Sequence, residues 1–123
     1  MSEQNPYQST PANPMSPADE KLWATLIHVG GIIFSFLPAL IGYLVLRDRG
    51  PFIRAHTATA LNFHISYYIY AAVLVPITVI TLGIGGILYA PLAIVALVFM
   101  ILAALAANRG EGYSYPLTIK FVS

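Results

Sequence analysis

The sequence predicts an all-α integral membrane protein, built as a helical hairpin followed by two longer transmembrane helices behind a disordered N-terminal tail. Hydrophobic residues fill 58% of the 123 positions and charged residues only 9%, far from the quarter usual in a soluble domain. The charges are also unevenly spread, since Leu22 to Leu46 and Ala55 to Asn108 contain no Asp, Glu, Lys or Arg. A transmembrane helix needs roughly 20 apolar residues. The second run, 54 residues long, therefore holds two spans, and the first, 25 residues long, holds one span or a short hairpin.

Composition excludes several function classes. With a net charge of +1 and no basic cluster beyond Arg47, Arg49 and Arg54, no nucleic-acid partner is expected. The absence of cysteine rules out disulfides, thiolate metal sites and cysteine nucleophiles. Residues 1–17 carry Pro6, Pro11, Pro14 and Pro17 among Ser, Asn and Gln, with no basic residue ahead of the first apolar run. They read as a disordered polar tail and not as a signal peptide.

Residues 18–112 are the expected helical transmembrane domain. Ser16 and Pro17 suit a helix start, and Asp19 and Glu20 in the first turn complement the helix dipole. Lys21 and Trp23 mark a membrane interface. Pro38 then interrupts the apolar stretch, so Leu22 to Leu46 is either one helix kinked at Pro38 or a hairpin that turns near Ser35 to Leu37. A single span separates Lys21 from the other five basic residues, whereas a hairpin puts all six on one side, and the positive-inside rule favours the hairpin. Its returning arm, Pro38 to Arg47, is only about 15 Å long, half a hydrocarbon core, so it must be re-entrant or continue into the interface.

Arg47 to Pro51 is the polar loop, with Gly50-Pro51 a break followed by a helix start. The next helix is expected from Pro51 to about Thr81, with Arg54 and His56 at the interface and a kink at Pro76. Leu82 to Gly86 is a tight uncharged turn, and the last span runs from near Ile87 to Asn108, where Asn, Arg and Gly supply a stop. Residues 113–123 form an extended interfacial tail. Leu117, Ile119 and Phe121 alternate with Thr118 and Lys120, as on an apolar surface, and Tyr113 and Tyr115 are natural interface anchors.

Polar groups inside the apolar runs carry the functional information, because each is costly in hydrocarbon without a partner. Ala55, Thr59, Asn62 and Ser66 recur four, three and four residues apart, which makes one helical stripe. The stripe reads as a helix-packing seam with Asn62 hydrogen-bonded across it, the alternative being a hydrated path or ligand pocket. His64 lies deepest in the long uncharged run among the groups that titrate near neutral pH. His56 and His64 lie about 80° apart on the helix with no carboxylate or thiol in the same element, so a metal site would need His28 from another helix. No metal and no cofactor is expected, and interhelical hydrogen bonding is the default reading of the histidines. Arg47, Arg49, Arg54 and His56 are candidate topology and interface residues, able to touch anionic headgroups. No nucleophile with an acid-base pair and no phosphate-cradling glycine motif is visible, so no catalytic residue is assigned.

The blocks Asp19-Glu20-Lys21-Leu22-Trp23-Ala24 through Gly31, Arg49 to His56, Ala60-Leu61-Asn62-Phe63 and Tyr113 to Ile119 resemble a family of small bacterial membrane proteins of unknown function, called Tic-twenty-like after a chloroplast inner-envelope import subunit. The resemblance spans about Asp19 to Val122. It implies a helical membrane domain and a distant kinship to a protein-conducting channel subunit, and leaves the activity open. The expected function is that of a non-enzymatic accessory or assembly subunit of the bacterial cytoplasmic membrane, with the lipid bilayer and itself or another membrane protein as partners. A small transporter or channel component, with a path along Asn62, His64 and Ser66, is the second reading.

Overall fold

A computed structural model describes residues 13–123, in which four α-helices form the whole regular architecture apart from two short 3-10 turns. The part of the N-terminal tail before residue 13 lies outside the described residues. Helix α1 spans Pro17–Phe34, α2 Leu37–Leu46, α3 Pro51–Ile80 and α4 Tyr89–Asn108. Helix α1 begins as its sequence dictates: Ser16 Oγ accepts from the Asp19 N–H at 3.1 Å, and Pro17 occupies the first turn.

The first apolar run is a hairpin. Ser35 takes a φ of +59° between α1 and α2, donates its N–H to Gly31 O at 3.0 Å, and bonds through its hydroxyl to Tyr68 OH. Phe36 packs edge-on against the same Tyr68 ring, with centroids 6.0 Å apart. The tip of the hairpin therefore stands level with Tyr68, twelve residues or about 18 Å short of the end of α3. Helix α2 has 10 residues and hands over to the 3-10 turn Arg47–Arg49.

Helix α3 starts under a carboxylate from another helix. The Glu20 carboxylate lies against Gly50 at that start, where the N–H groups that a first turn leaves unpaired favour an anion. A Cβ on Gly50 would stand 1.6 Å from Glu20 Oε1. The glycine is needed for this close approach, since its backbone is simply extended. Burial raises the Glu20 carboxyl above its ordinary value, and the backbone N–H groups at the start of α3 pull it back down.

Helix α3 continues through Pro76 to Ile80, and Leu82 and Gly83, both at positive φ, turn the chain into the 3-10 segment Ile84–Leu88 ahead of α4. Helix α4 thus begins at Tyr89, two residues later than the sequence suggests. The core lies in one half of the molecule. Ala24, Ile27, Ala39, Tyr43, Ile53, Ala58, Ala60, Leu61 and Ala107 form one cluster, and Phe63, Ala96, Met100, Ala103 and Tyr115 a second. Much of it is alanine, which lets the helices approach closely. Helix α4 packs chiefly on α1 and meets α3 sparsely.

Beyond Tyr68 the outer halves of α3 and α4 project past the hairpin with large aliphatic side chains in the open: Val79 is 69% exposed, Ile80 79%, Leu82 93% and Ile84 76%. The segments 51–80 and 84–108 are long and apolar enough to cross a membrane, with mean hydropathies of 1.7 and 2.7. The basic residues gather at the opposite end. Lys21 lies beside Gly110, Arg49 Nε donates to Asn13 O at 2.8 Å, Arg54 pairs with Asp48 at 3.3 Å, and Arg109 pairs with Glu111 at 3.0 Å.

The C-terminal segment is extended and folds back on the helices. From Glu111 it runs along α3 toward the outer half, reverses at Leu117, whose φ is +61°, and returns to end beside Tyr43. Leu117, Ile119 and Phe121 face outward, between 46% and 75% exposed, because the backbone, not the apolar side chains, is what meets α3.

Candidate functional site

The inner face of α3 and the returning C-terminal segment form the polar centre of the molecule. Asn62 Oδ1 accepts from the N–H groups of Phe121 and Val122, both at 2.8 Å, and Asn62 Nδ2 donates to Val122 O at 2.9 Å. One turn on, Ser66 Oγ accepts from the Ile119 N–H at 2.8 Å, and a further turn on, the Tyr70 hydroxyl donates to Leu117 O. Tyr43 of α2 donates to Ser123 O at 2.8 Å. The stripe expected to join two helices thus holds a strand of backbone. The match is geometric: four residues of helix rise about 6 Å and two residues of extended chain about 6.6 Å, so i, i+4, i+8 on α3 stay in step with alternate residues of the tail.

Deeper in, two imidazoles and a phenol form a directed chain. His56 Nε2 lies 2.8 Å from Glu111 O, His56 Nδ1 2.9 Å from His28 Nε2, and His28 Nδ1 2.7 Å from Tyr115 OH. A carbonyl can only accept, so His56 carries its hydrogen on Nε2 and accepts on Nδ1. His28 must then donate from Nε2 and accept from Tyr115 on Nδ1. With both rings neutral, every donor in the chain has an acceptor. Burial holds the Tyr115 phenol above its ordinary value, which keeps it protonated as the donor this requires. Its ring stacks on Phe63 with centroids 4.2 Å apart.

Two of these side chains are more buried than their sequence reading suggests. His56, grouped by sequence with the arginines at an interface, is 1% exposed and bonded on both nitrogens. Tyr115, read as an interface anchor, is 4% exposed and internal. His64 is buried too but faces α1 instead of the stripe, with its Nε2 where a Cβ on Gly31 would come within 2.9 Å. Thr59 lies half-buried beside a groove. Arg47 stacks over the Tyr43 ring at 5.1 Å, while Arg49 and Arg54 bond at the charged end. Among the described residues no group of three or more His, Asp or Glu side chains is placed to hold a metal ion. His28 and Tyr115 are the members that sequence reasoning left out of the site, and their signal was a polar group on each of two segments with no stated partner.

Between α3 and the C-terminal segment lies a groove of about 490 Å³, lined by Arg54, Ala55, Thr59 and Asn62 on the helix and by Lys120 and Ser123 on the tail. A smaller space of about 240 Å³ adjoins His64, Gly31 and Met100.

Residues 19–122 of the chain match the magnetosome magnetite crystal formation protein family. This overturns the Tic-twenty-like assignment: the Asp19 to Gly31, Arg49 to His56 and Tyr113 to Ile119 blocks that suggested it all fall inside the matched stretch, and the implied kinship to a channel subunit goes with it. Neither curated proteins nor solved structures yield a match.

Proposed function

The chain belongs to the magnetosome magnetite crystal formation protein family, and from that premise we propose that it is a non-enzymatic, multi-pass protein of the magnetosome membrane that assists crystal formation by assembling with itself or with other membrane proteins. The observation that carries this reading is the outer half of α3 and α4. There, large aliphatic side chains such as Val79, Ile80, Leu82 and Ile84 are exposed on a projecting helical pair, a surface that water does not tolerate and hydrocarbon does. The non-enzymatic part is supported by the polar centre, whose buried side-chain nitrogen and oxygen atoms among the described residues all have partners within the chain. Two of the buried histidines, His28 and His56, are committed to a hydrogen-bond chain that holds the C-terminal segment.

The test is fractionation and deletion in a magnetosome-forming bacterium. The tagged chain is expected in the magnetosome membrane fraction, resistant to alkaline carbonate, and its deletion is expected to change the number or size of crystals while the membrane persists. Release by carbonate, or a deletion strain with unaltered crystals, overturns the proposal.

A further inference from the structure

His28 and His56 are bonded on both ring nitrogens, whereas His64, only 5% exposed, has no hydrogen-bond partner among the described residues. Every wholly enclosed side-chain nitrogen or oxygen among them does have one, so the His64 nitrogens must reach open space. That space is the cavity of about 240 Å³ between α1, α3 and α4, larger than the roughly 150 Å³ that holds a benzene. It exists because α4 packs on α1 and hardly on α3: where α1 ends at Phe34, the longer helices are left apart. A Cβ on Gly31 would stand 2.9 Å from His64 Nε2 and 3.4 Å from Met100 Sδ. The glycine thus leaves room beside the imidazole, with a thioether next to it. Phe63 and Tyr67 supply aromatic walls, Ala93 and Leu97 line the α4 side, and no charged residue lines the cavity.

Depth and chemistry narrow the occupant. From Arg54 to His64 the helix rises about 15 Å, half of a hydrocarbon core of roughly 30 Å. An acyl chain reaches that depth but has no polar atom for the imidazole, and phospholipid ester carbonyls stay at the headgroup boundary. A quinone meets each requirement. It is uncharged and soluble in hydrocarbon, its planar ring packs on aromatic and thioether groups, and its carbonyl accepts from an imidazole N–H. We propose that this cavity binds the ring of a membrane quinone, with His64 hydrogen-bonded to one carbonyl and the tail passing between α3 and α4 into the bilayer. The binding needs no redox step, and its assignment rests on the membrane reading above.

The experiment titrates the full-length chain in nonionic detergent with decylubiquinone, and with decyl acetate as an ester of matched chain length. Native mass spectrometry counts bound molecules, and infrared difference spectra read the quinone carbonyl. One decylubiquinone per chain is expected, its carbonyl band shifted to lower frequency by the hydrogen bond, and decyl acetate should not compete. His64→Phe keeps a ring but removes the donor. It should weaken binding about tenfold, the loss of one hydrogen bond, and abolish the band shift. Ala93→Leu, at an exposed position, should narrow the cavity and weaken binding while the helical circular dichroism stays the same. Absence of saturable quinone binding, equal binding of the ester, or a carbonyl band that His64→Phe does not change overturns the proposal, as does full binding by Ala93→Leu. A chain released from membranes by carbonate defeats the membrane reading as well. A chain that stays in the membrane but does not bind decylubiquinone defeats only the quinone site.

Discussion

Tyr115 has one hydrogen to give, and His28 has one nitrogen left to receive it once His56 and the Glu111 carbonyl have fixed the direction of the chain. Tyr115→Phe keeps the stack on Phe63 and removes only that hydrogen, leaving His28 Nδ1 buried without a donor. The expected cost is about 1–3 kcal/mol, the penalty for a buried polar group that loses its partner. Thermal unfolding in detergent should therefore show a lower midpoint for Tyr115→Phe than for the parent chain. An unchanged midpoint would mean that water replaces the phenol, and that the chain of rings is less closed than its distances indicate. The same economy explains Gly50. Its missing side chain leaves space for Glu20 to reach the start of α3, a role that a reader of the sequence would assign to helix breaking alone.

At the scale of elements, the long uncharged runs suffice to locate α3 and α4, because the placement of charge is set by the solvent each segment meets. The hairpin is also legible, since Pro38 and the position of Lys21 both count against a single span. The polar stripe of Thr59, Asn62 and Ser66 is visible by spacing, but its partner is not. A hydrogen bond to backbone leaves no mark on the identity of the residue that supplies it, so the tail's alternation read as an apolar face when its ordering comes from amides. His56 misleads for a related reason: Arg54, two residues away, points to the charged end, while the helix turns His56 inward to α1. If the tail is held as described, the amides of Ile119, Phe121 and Val122 should exchange slowly with solvent deuterium. Asn62→Ala should release Phe121 and Val122 while leaving α3 protected. Loss of protection throughout α3 would show instead that Asn62 supports the helix itself.

For the whole molecule, the decisive asymmetry is that the basic side chains gather at one end and the bare aliphatic surface lies at the other. Lys21, Arg49, Arg54 and Arg109 are tied into the loops and termini of that end, and Lys120 lines the same groove as Arg54. On the membrane reading proposed above, the positive-inside bias puts this end on the cytoplasmic side. Helices α3 and α4 would then cross, with the turn around Leu82 on the far side. The α1–α2 hairpin cannot follow them. From Leu22 to Phe34 it rises only about 20 Å against a hydrocarbon core of roughly 30 Å, and its tip meets Tyr68 well short of the end of α3. The native chain has no cysteine, so single cysteines report cleanly. Asp48→Cys and Gly112→Cys should react with a membrane-impermeant maleimide only from the cytoplasmic side, Leu82→Cys only from the opposite side, and Phe34→Cys from neither. Labelling of Phe34→Cys together with Leu82→Cys would make α1 a full span and refute the re-entrant hairpin. Labelling of Asp48→Cys and Gly112→Cys from opposite sides would separate the charged loops that the fold brings together, and the arrangement itself would then be wrong.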